Sequence, residues 1–231
     1  MNLVRYKTMG YPTLSIVKSS PDIFQNYTQN PADMNRKKTG NAKHQIRIIG
    51  GQWRGRKLPV PDLPGLRPTG DRQRETLFNW LSPYLDGARV LDAFAGSGAL
   101  GFEALSRGAS YALLLENSSE AVANLKECIS LLDAEANASI QCQDALAYFN
   151  ADQLPESDPF DLVFLDPPFS ASLIKKSIAA LDSGSLLSNH SLVYLEQNRR
   201  DHAPLVPENW SVYREKSSGE VSCFLYQVEK A

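Results

Sequence analysis

The residues best equipped for chemistry lie in FDLVFLDPPF, residues 160–169, where an apolar run ends on a carboxylate, two prolines and an aromatic ring. The plain structural reading is a buried strand over 160–165 closed by an ordinary Pro-Pro stop. The chemical reading uses the same residues differently. Asp166 and the carbonyl of Pro167 are acceptors held rigidly, because the rings of Pro167 and Pro168 fix φ and bring no amide donors. Such acceptors can take N–H protons from an exocyclic base amine and favour a pyramidal nitrogen whose lone pair is free to attack. Phe169 would stack on an extruded base. Most of the rate would come from alignment rather than from strong base catalysis.

A second constellation is VLDAFAGSGALGFEAL, residues 90–105, in which a strand ends in Asp92 and a loop carrying Phe94, Gly96 and Gly98 opens a helix. Glycines let the backbone turn tightly and let a ligand approach the amides of a helix start. A GxGxxG pattern alone is shared with dinucleotide sites. Asp92, however, would repel a pyrophosphate and favour a cofactor with a cationic amino acid end, which points to S-adenosylmethionine over a nicotinamide or flavin. About 20 residues after the glycines, YALLLEN ends in Glu116, an acceptor for ribose hydroxyls. Asp144, after SIQCQ, is placed either for an adenine amine or as a helix N-terminal charge.

These acids need strand ends to stand on. Strand-like runs at 89–92, 111–116, 138–143 and 160–165 alternate with helical stretches at about 98–107, 118–132, 144–150 and 171–182. Strands alternating with helices predict an α/β, doubly wound, mostly parallel sheet. SLVYLEQ, WSVYREKSS and VSCFLYQVE then predict three further strands, the last two an antiparallel hairpin turning at 217–219. Upstream, short runs at 46–49 and 56–60 around Gly50, Gly51 and Gly55 predict a small hairpin. The next stretch predicts a helix with Thr69 or Asp71 at its N-cap, ending near Pro83, with Leu77, Trp80, Leu81 and Tyr84 on one face.

Charge divides the chain. Residues 36–74 hold eleven Lys or Arg against Asp62 and Asp71, a net +9, whereas the rest of the chain from Glu75 onward carries a net −12. A basic block beside an acidic body is the footprint of a polyanionic partner, the alternative being a merely solvated arm. Residues 1–45 are polar and aperiodic, and disorder is the expectation there. Met34, directly before the basic block, is a candidate alternative start of translation. Neither the N-terminus nor any apolar stretch resembles a signal peptide or membrane span. Cys128, Cys142 and Cys223 form no CxxC, so buried reduced thiols are expected, and no metal is expected at His44, His190 or His202. A 46–70 basic arm and a 71–231 catalytic domain are the predicted division.

DAFAGSG, Glu116 and DPPF together resemble class I S-adenosylmethionine-dependent N-methyltransferases. More narrowly, IRIIGGQWRGRKLPVPDLPGLRPTGDRQRETLFNWL followed by LDAFAGSGALGFEALSRGA is similar to the bacterial 16S rRNA (guanine-966)-N2-methyltransferase family. The resemblance spans about Gln45 to Gln227 and implies a Rossmann-like methyltransferase sheet. It also implies an enzyme acting on rRNA of a partly assembled small ribosomal subunit, and a cytoplasmic monomer is the accompanying expectation. Asp92, Phe94, Gly96 and Gly98 would then line the methionine end, Glu116 the ribose, Asp144 the adenine, and residues 166–169 the target base. Arg54, Arg56, Lys57, Arg67 and Arg72 would hold RNA phosphates. The chain departs from the family at Ser118, where an acid is common, and at Gly70, where a second Thr is. A DNA adenine methyltransferase and a non-catalytic RNA-binding assembly module remain as alternatives. The first lacks room for a separate recognition domain of about 100 residues.

Overall fold

A computed structural model describes residues 45–63, 70–151, 159–168 and 171–230. Expectations for residues 1–44, Arg67, Thr69 and Phe169 lie outside the described residues. A two-stranded hairpin, β1 (Gln45–Arg47) and β2 (Lys57–Pro59), precedes a seven-stranded sheet. That sheet has the order β5 (Ala138–Cys142), β4 (Tyr111–Glu116), β3 (Arg89–Asp92), β6 (Phe160–Leu165), β7 (Leu187–Asn198), β9 (Val221–Val228), β8 (Trp210–Ser218). β3 to β7 are parallel, and β9 and β8 close the edge as an antiparallel pair with Gly219 at φ +59° in the turn. The alternating pattern predicted from sequence is therefore the fold.

Strand order reverses between β3 and β6: the chain winds outward through β4 and β5, then returns to the other side of β3. In such sheets the crevice at this reversal, outside the carboxyl ends of the strands, is where ligands bind. β3, β4 and β6 are buried on both faces, which explains their almost unbroken apolar runs. One apolar cluster packs α1 (Asp71–Leu81), α2 (Ala99–Ser106), α3 (Ser119–Leu132) and the hairpin on one face; α4 (Ala145–Phe149) and α5 (Ala171–Ser183) cover the other.

Several local expectations change. α1 has Gly70 at its N-cap with no side chain capping it, and its buried face is Arg74, Leu77, Phe78 and Leu81. Trp80 is only partly buried, and Tyr84 is exposed, edge-on to Tyr213. The helix phase is set by Phe78, which meets Phe164 of the sheet edge-to-face. Of the thiols, Cys128 and Cys223 are buried, whereas Cys142, at the end of β5, is exposed.

The hairpin shares the main core through Ile46, Ile48, Leu58 and Val60. A fully buried carboxylate docks it. Glu103 accepts from the Ile49 and Gly50 amides at 2.8 Å each, from Arg107 Nε at 2.7 Å and from Arg74 at 3.5 Å. The turn then seats so closely on the end of α2 that a Cβ at Gly51, whose φ is +75°, would stand 1.7 Å from the Ser106 carbonyl oxygen.

Candidate active site

Four strands bring four carboxylates to the carboxyl edge of the sheet, on the face covered by α1 and α2. Asp92 closes β3, Glu116 closes β4, Asp166 follows β6, and Glu196 lies on β7 one residue beyond the Leu165–Leu195 pairing. Side chains two apart share a face, so Asp166 continues the side of Phe164, and Glu196 that of Tyr194.

Asp92 is 2% exposed, and its Oδ2 accepts from the Gly101 amide in the first turn of α2 at 2.9 Å. That amide is among those a helix leaves without an internal partner. Burial pushes the Asp92 carboxyl up to about 7; the Gly101 amide opposes this, and the charges of Asp166 and Glu116 add to it. Gly101 is needed for this approach, since a Cβ there would lie 3.2 Å from Asp92 Oδ2. The intervening loop turns through Gly96 at φ +50° and Gly98 at φ +76°. Gly98 also serves packing, because a Cβ would stand 2.3 Å from the Phe102 ring and 2.7 Å from Leu125. Phe94 is half-buried against the opposite apolar cluster.

Glu116 is oriented by two amides, Gly96 donating to Oε2 at 2.9 Å and Ser118 to Oε1 at 2.8 Å. Ser118 in turn caps α3 by accepting from Ala121. Asp144 is exposed and caps α4, its Oδ1 accepting from the Ala147 amide at 2.9 Å. The helix-terminal role weighed from sequence is thus real, and it engages one oxygen. Asp166 is half-buried, Pro167 buried and Pro168 exposed.

Neither Asp92 nor Glu116 has an ion pair among the described residues. Negative charge left uncompensated at a crevice suits a ligand with positive charge and hydroxyl donors, and it disfavours a pyrophosphate. The residues present therefore fit S-adenosylmethionine, a sulfonium with an ammonium group and a ribose.

The basic residues separate into two groups. Arg54, Arg56 and Lys57 are exposed on the hairpin, whose turn is held at the far end of α2 by Gln52 and Trp53 amides donating to Ser106. Arg56 donates to the Leu131 carbonyl in the last turn of α3 at 2.9 Å. This hairpin turn lies a helix length, ~12 Å, from the Gly98 end of α2. A cavity of about 390 Å³, lined by Gly51, Trp53, Arg107 and Asn137 among others, sits at that distant end and holds none of the carboxylates. Arg72, by contrast, is exposed in the first turn of α1, next to Gln73.

Sequence reasoning passed over Gln73 and Glu196. Gln73 Nε2 donates to Glu196 Oε1 and, at 3.1 Å, to Cys223 Sγ. The available signal was a charged residue inside the apolar run SLVYLEQ, which needs a reason to be buried.

The matched family model, described as conserved hypothetical protein 95, covers residues 46–227. The chain is 49% identical over 185 residues to ribosomal RNA small subunit methyltransferase D of Escherichia coli strain K12, covering 80% of this chain and 91% of that one. It is 45% identical over 196 residues to the protein of the same name from Haemophilus influenzae, covering 84% of this chain and all of that one. Among solved structures, the yhhF protein of Escherichia coli superposes with a TM-score of 0.73 at 45% identity, over 80% of this chain and 99% of that one. At the level of fold alone, the SMU.776 protein, solved with SAH, gives a TM-score of 0.61 at 15% identity over 82% and 57% of the two chains. The chain accordingly belongs to the conserved hypothetical protein 95 family, alongside ribosomal RNA small subunit methyltransferase D.

Proposed function

We propose that this protein is an S-adenosylmethionine-dependent rRNA methyltransferase that methylates the exocyclic N2 of a guanine, guanine-966, in 16S rRNA of the small ribosomal subunit or its assembly intermediate. The observation that carries the reading is the pair Asp92 and Glu116, without an ion pair among the described residues at the strand-order reversal, with the Asp166-Pro167-Pro168 corner beside them. The relatives' names support the substrate class.

S-adenosylmethionine, when bound, supplies a methyl group on a sulfonium. Asp92 faces its cationic amino acid end, with Phe94 and the loop at Gly96 and Gly98 shaping the approach. Glu116 accepts from the ribose hydroxyls, and the oxygen of Asp144 not used in capping takes the adenine amine. Asp166 and the Pro167 carbonyl accept the N–H groups of the target amine, so its lone pair is turned from the ring toward the methyl carbon. When nitrogen gains the methyl group, the methyl–sulfur bond would break with its electron pair left on sulfur, and nitrogen must lose a proton, which the Asp166 carboxylate would accept. Pro168 holds the corner stiff, and Phe169 stacks on the base.

Arg72 contacts phosphates near the target, while Arg54, Arg56 and Lys57 grip RNA a helix length away; Arg67 belongs to the same basic block. Residues 46–70 thus act as a basic arm, 71–231 as the catalytic domain of a cytoplasmic monomer, and 1–45 as an extension. No helix among the described residues is long and apolar enough to cross a membrane.

The test is transfer from tritium-labelled S-adenosylmethionine to small subunits lacking the modification, followed by nucleoside analysis. Labelled N2-methylguanosine is the expected product. Label on DNA alone would replace the reading with a DNA methyltransferase, and cofactor binding without transfer would replace it with a non-catalytic module.

A further inference from the structure

Glu196 is the least explained charged group at the crevice. Glu196 is 6% exposed, it has no cation within ion-pairing distance among the described residues, and it lies one step beyond the Leu165–Leu195 pairing, as the Asp166 corner does on the neighbouring strand. An unpaired carboxylate in such a place is costly unless hydrogen bonds or a proton compensate it. The compensation comes from 123 residues away, in the segment RPTGDRQRETLFNWL: Gln73, in the first turn of α1, donates to Glu196 Oε1 and also reaches Cys223 of β9. The hydroxyl of Tyr194, fully buried on the same face, is directed at this group without a hydrogen bond of standard geometry.

We propose that the Gln73–Glu196 pair is a positioning element for Asp166, setting the Asp166 carboxylate toward the target amine and tying the start of α1 to the chemistry. The inference rests on the proposed methyl transfer. Two adjacent carboxyls do not both ionise cheaply, and the more buried one keeps the proton. Burial first, then the charge of Asp166, raises Glu196 to about 8, against the opposing influence of the nearby Tyr194 hydroxyl and of the Gln73 hydrogen bond. Glu196 then keeps its proton at neutral pH, beside the Asp166 corner. The titratable groups facing Glu196 are Asp166 after β6, Tyr194 on β7 and Cys223 on β9, while α1 contributes the neutral Gln73. Above pH 8, ionisation of Glu196 puts a buried negative charge next to the Asp166 corner and loosens it. The segment that spans α1 is thereby given a task beyond covering the sheet.

The experiment compares wild type, Gln73→Ala, Glu196→Ala and the near-isosteric Glu196→Gln by steady-state methyl transfer from pH 6 to 9.5. Cofactor affinity is measured by calorimetry and thermal midpoints are recorded in parallel. At pH 7, Gln73→Ala and Glu196→Ala should lower kcat about tenfold or more, with cofactor affinity within about threefold of wild type. Glu196→Gln, which keeps an acceptor for Gln73 and no titratable proton, should restore kcat to within about threefold and abolish the decline above pH 8 expected of wild type. Three results would overturn the inference: unchanged kcat in both alanine variants, a Glu196→Gln variant as slow as Glu196→Ala, or an alkaline decline that persists in Glu196→Gln. A wild type that binds cofactor and transfers no methyl group would instead defeat the proposed function.

Discussion

Glu103 and Asp92 are both fully buried carboxylates, one in the middle of α2 and one just beneath its start, and they are treated in opposite ways. Glu103 receives two backbone amides and two guanidinium groups, so its charge is matched inside the protein. Among the described residues Asp92 receives one amide and no cation, and burial drives its carboxyl up to about 7. Burial of a carboxylate therefore does not by itself mark a site. What marks it is the partner that is missing, because a structural charge is completed by the fold and a binding charge is left for the ligand to complete.

The contrast predicts different failures. Replacing Glu103 by Ala strands the Ile49 and Gly50 amides and leaves Arg74, itself fully buried, without this carboxylate. A loss of ~3–5 kcal/mol is expected in urea denaturation, with the hairpin released first, and cofactor affinity of the remaining folded protein should change little. Asp92→Asn should do the reverse. It keeps an acceptor for Gly101, so stability at pH 8 should hold or rise, while cofactor affinity falls ~10- to 100-fold by calorimetry, about 1.4–2.7 kcal/mol.

The same comparison gives a pH dependence with a definite sign. Asp92 and Glu196 titrate near 7 and 8 in the folded chain, above ordinary carboxyl values. Their contribution to stability is complete below the unfolded pKa of ~4 and is lost as pH rises through 7 to 8. Denaturation midpoints should fall between pH 5 and pH 8.5, and an Asp92→Asn, Glu196→Gln double variant should show a flatter profile. Bound S-adenosylmethionine should also flatten the fall, since its positive charge favours ionised Asp92. The smallest effect on chemistry is expected from charge reversal at Arg54 and Arg56, on the hairpin whose turn lies a helix length from the Gly98 end of α2. RNA affinity should weaken and its salt slope flatten, while kcat at saturating RNA stays within about threefold; an unchanged slope would take the hairpin off the RNA.

Much of this was legible in the sequence because the informative residues are local. Asp92, Glu116 and Asp166 each punctuate the end of an apolar run, and strand alternation alone puts such ends on one edge of a parallel sheet. Asp144 was half legible: spacing showed an acid before a helix, but not that its Oδ1 accepts from the Ala147 amide. The choice of Phe78 over Trp80 for the buried face of α1 depends on what the sheet offers, namely Phe164. The long-range pairings were not legible, since nothing local links Gln73 to Glu196 or Glu103 to Ile49. The distance of Arg54 and Arg56 from the crevice follows from where Gly51 lets the turn dock, which composition does not encode.

The central claim is that the Asp166 corner performs chemistry rather than ending a strand. Single-turnover methyl transfer by Asp166→Ala, with cofactor affinity measured on the same preparation, tests it most directly. A fall in rate of ~10²-fold or more with affinity within about threefold is predicted. Loss of cofactor binding in proportion to the loss of rate, or transfer at the wild-type rate, would contradict it.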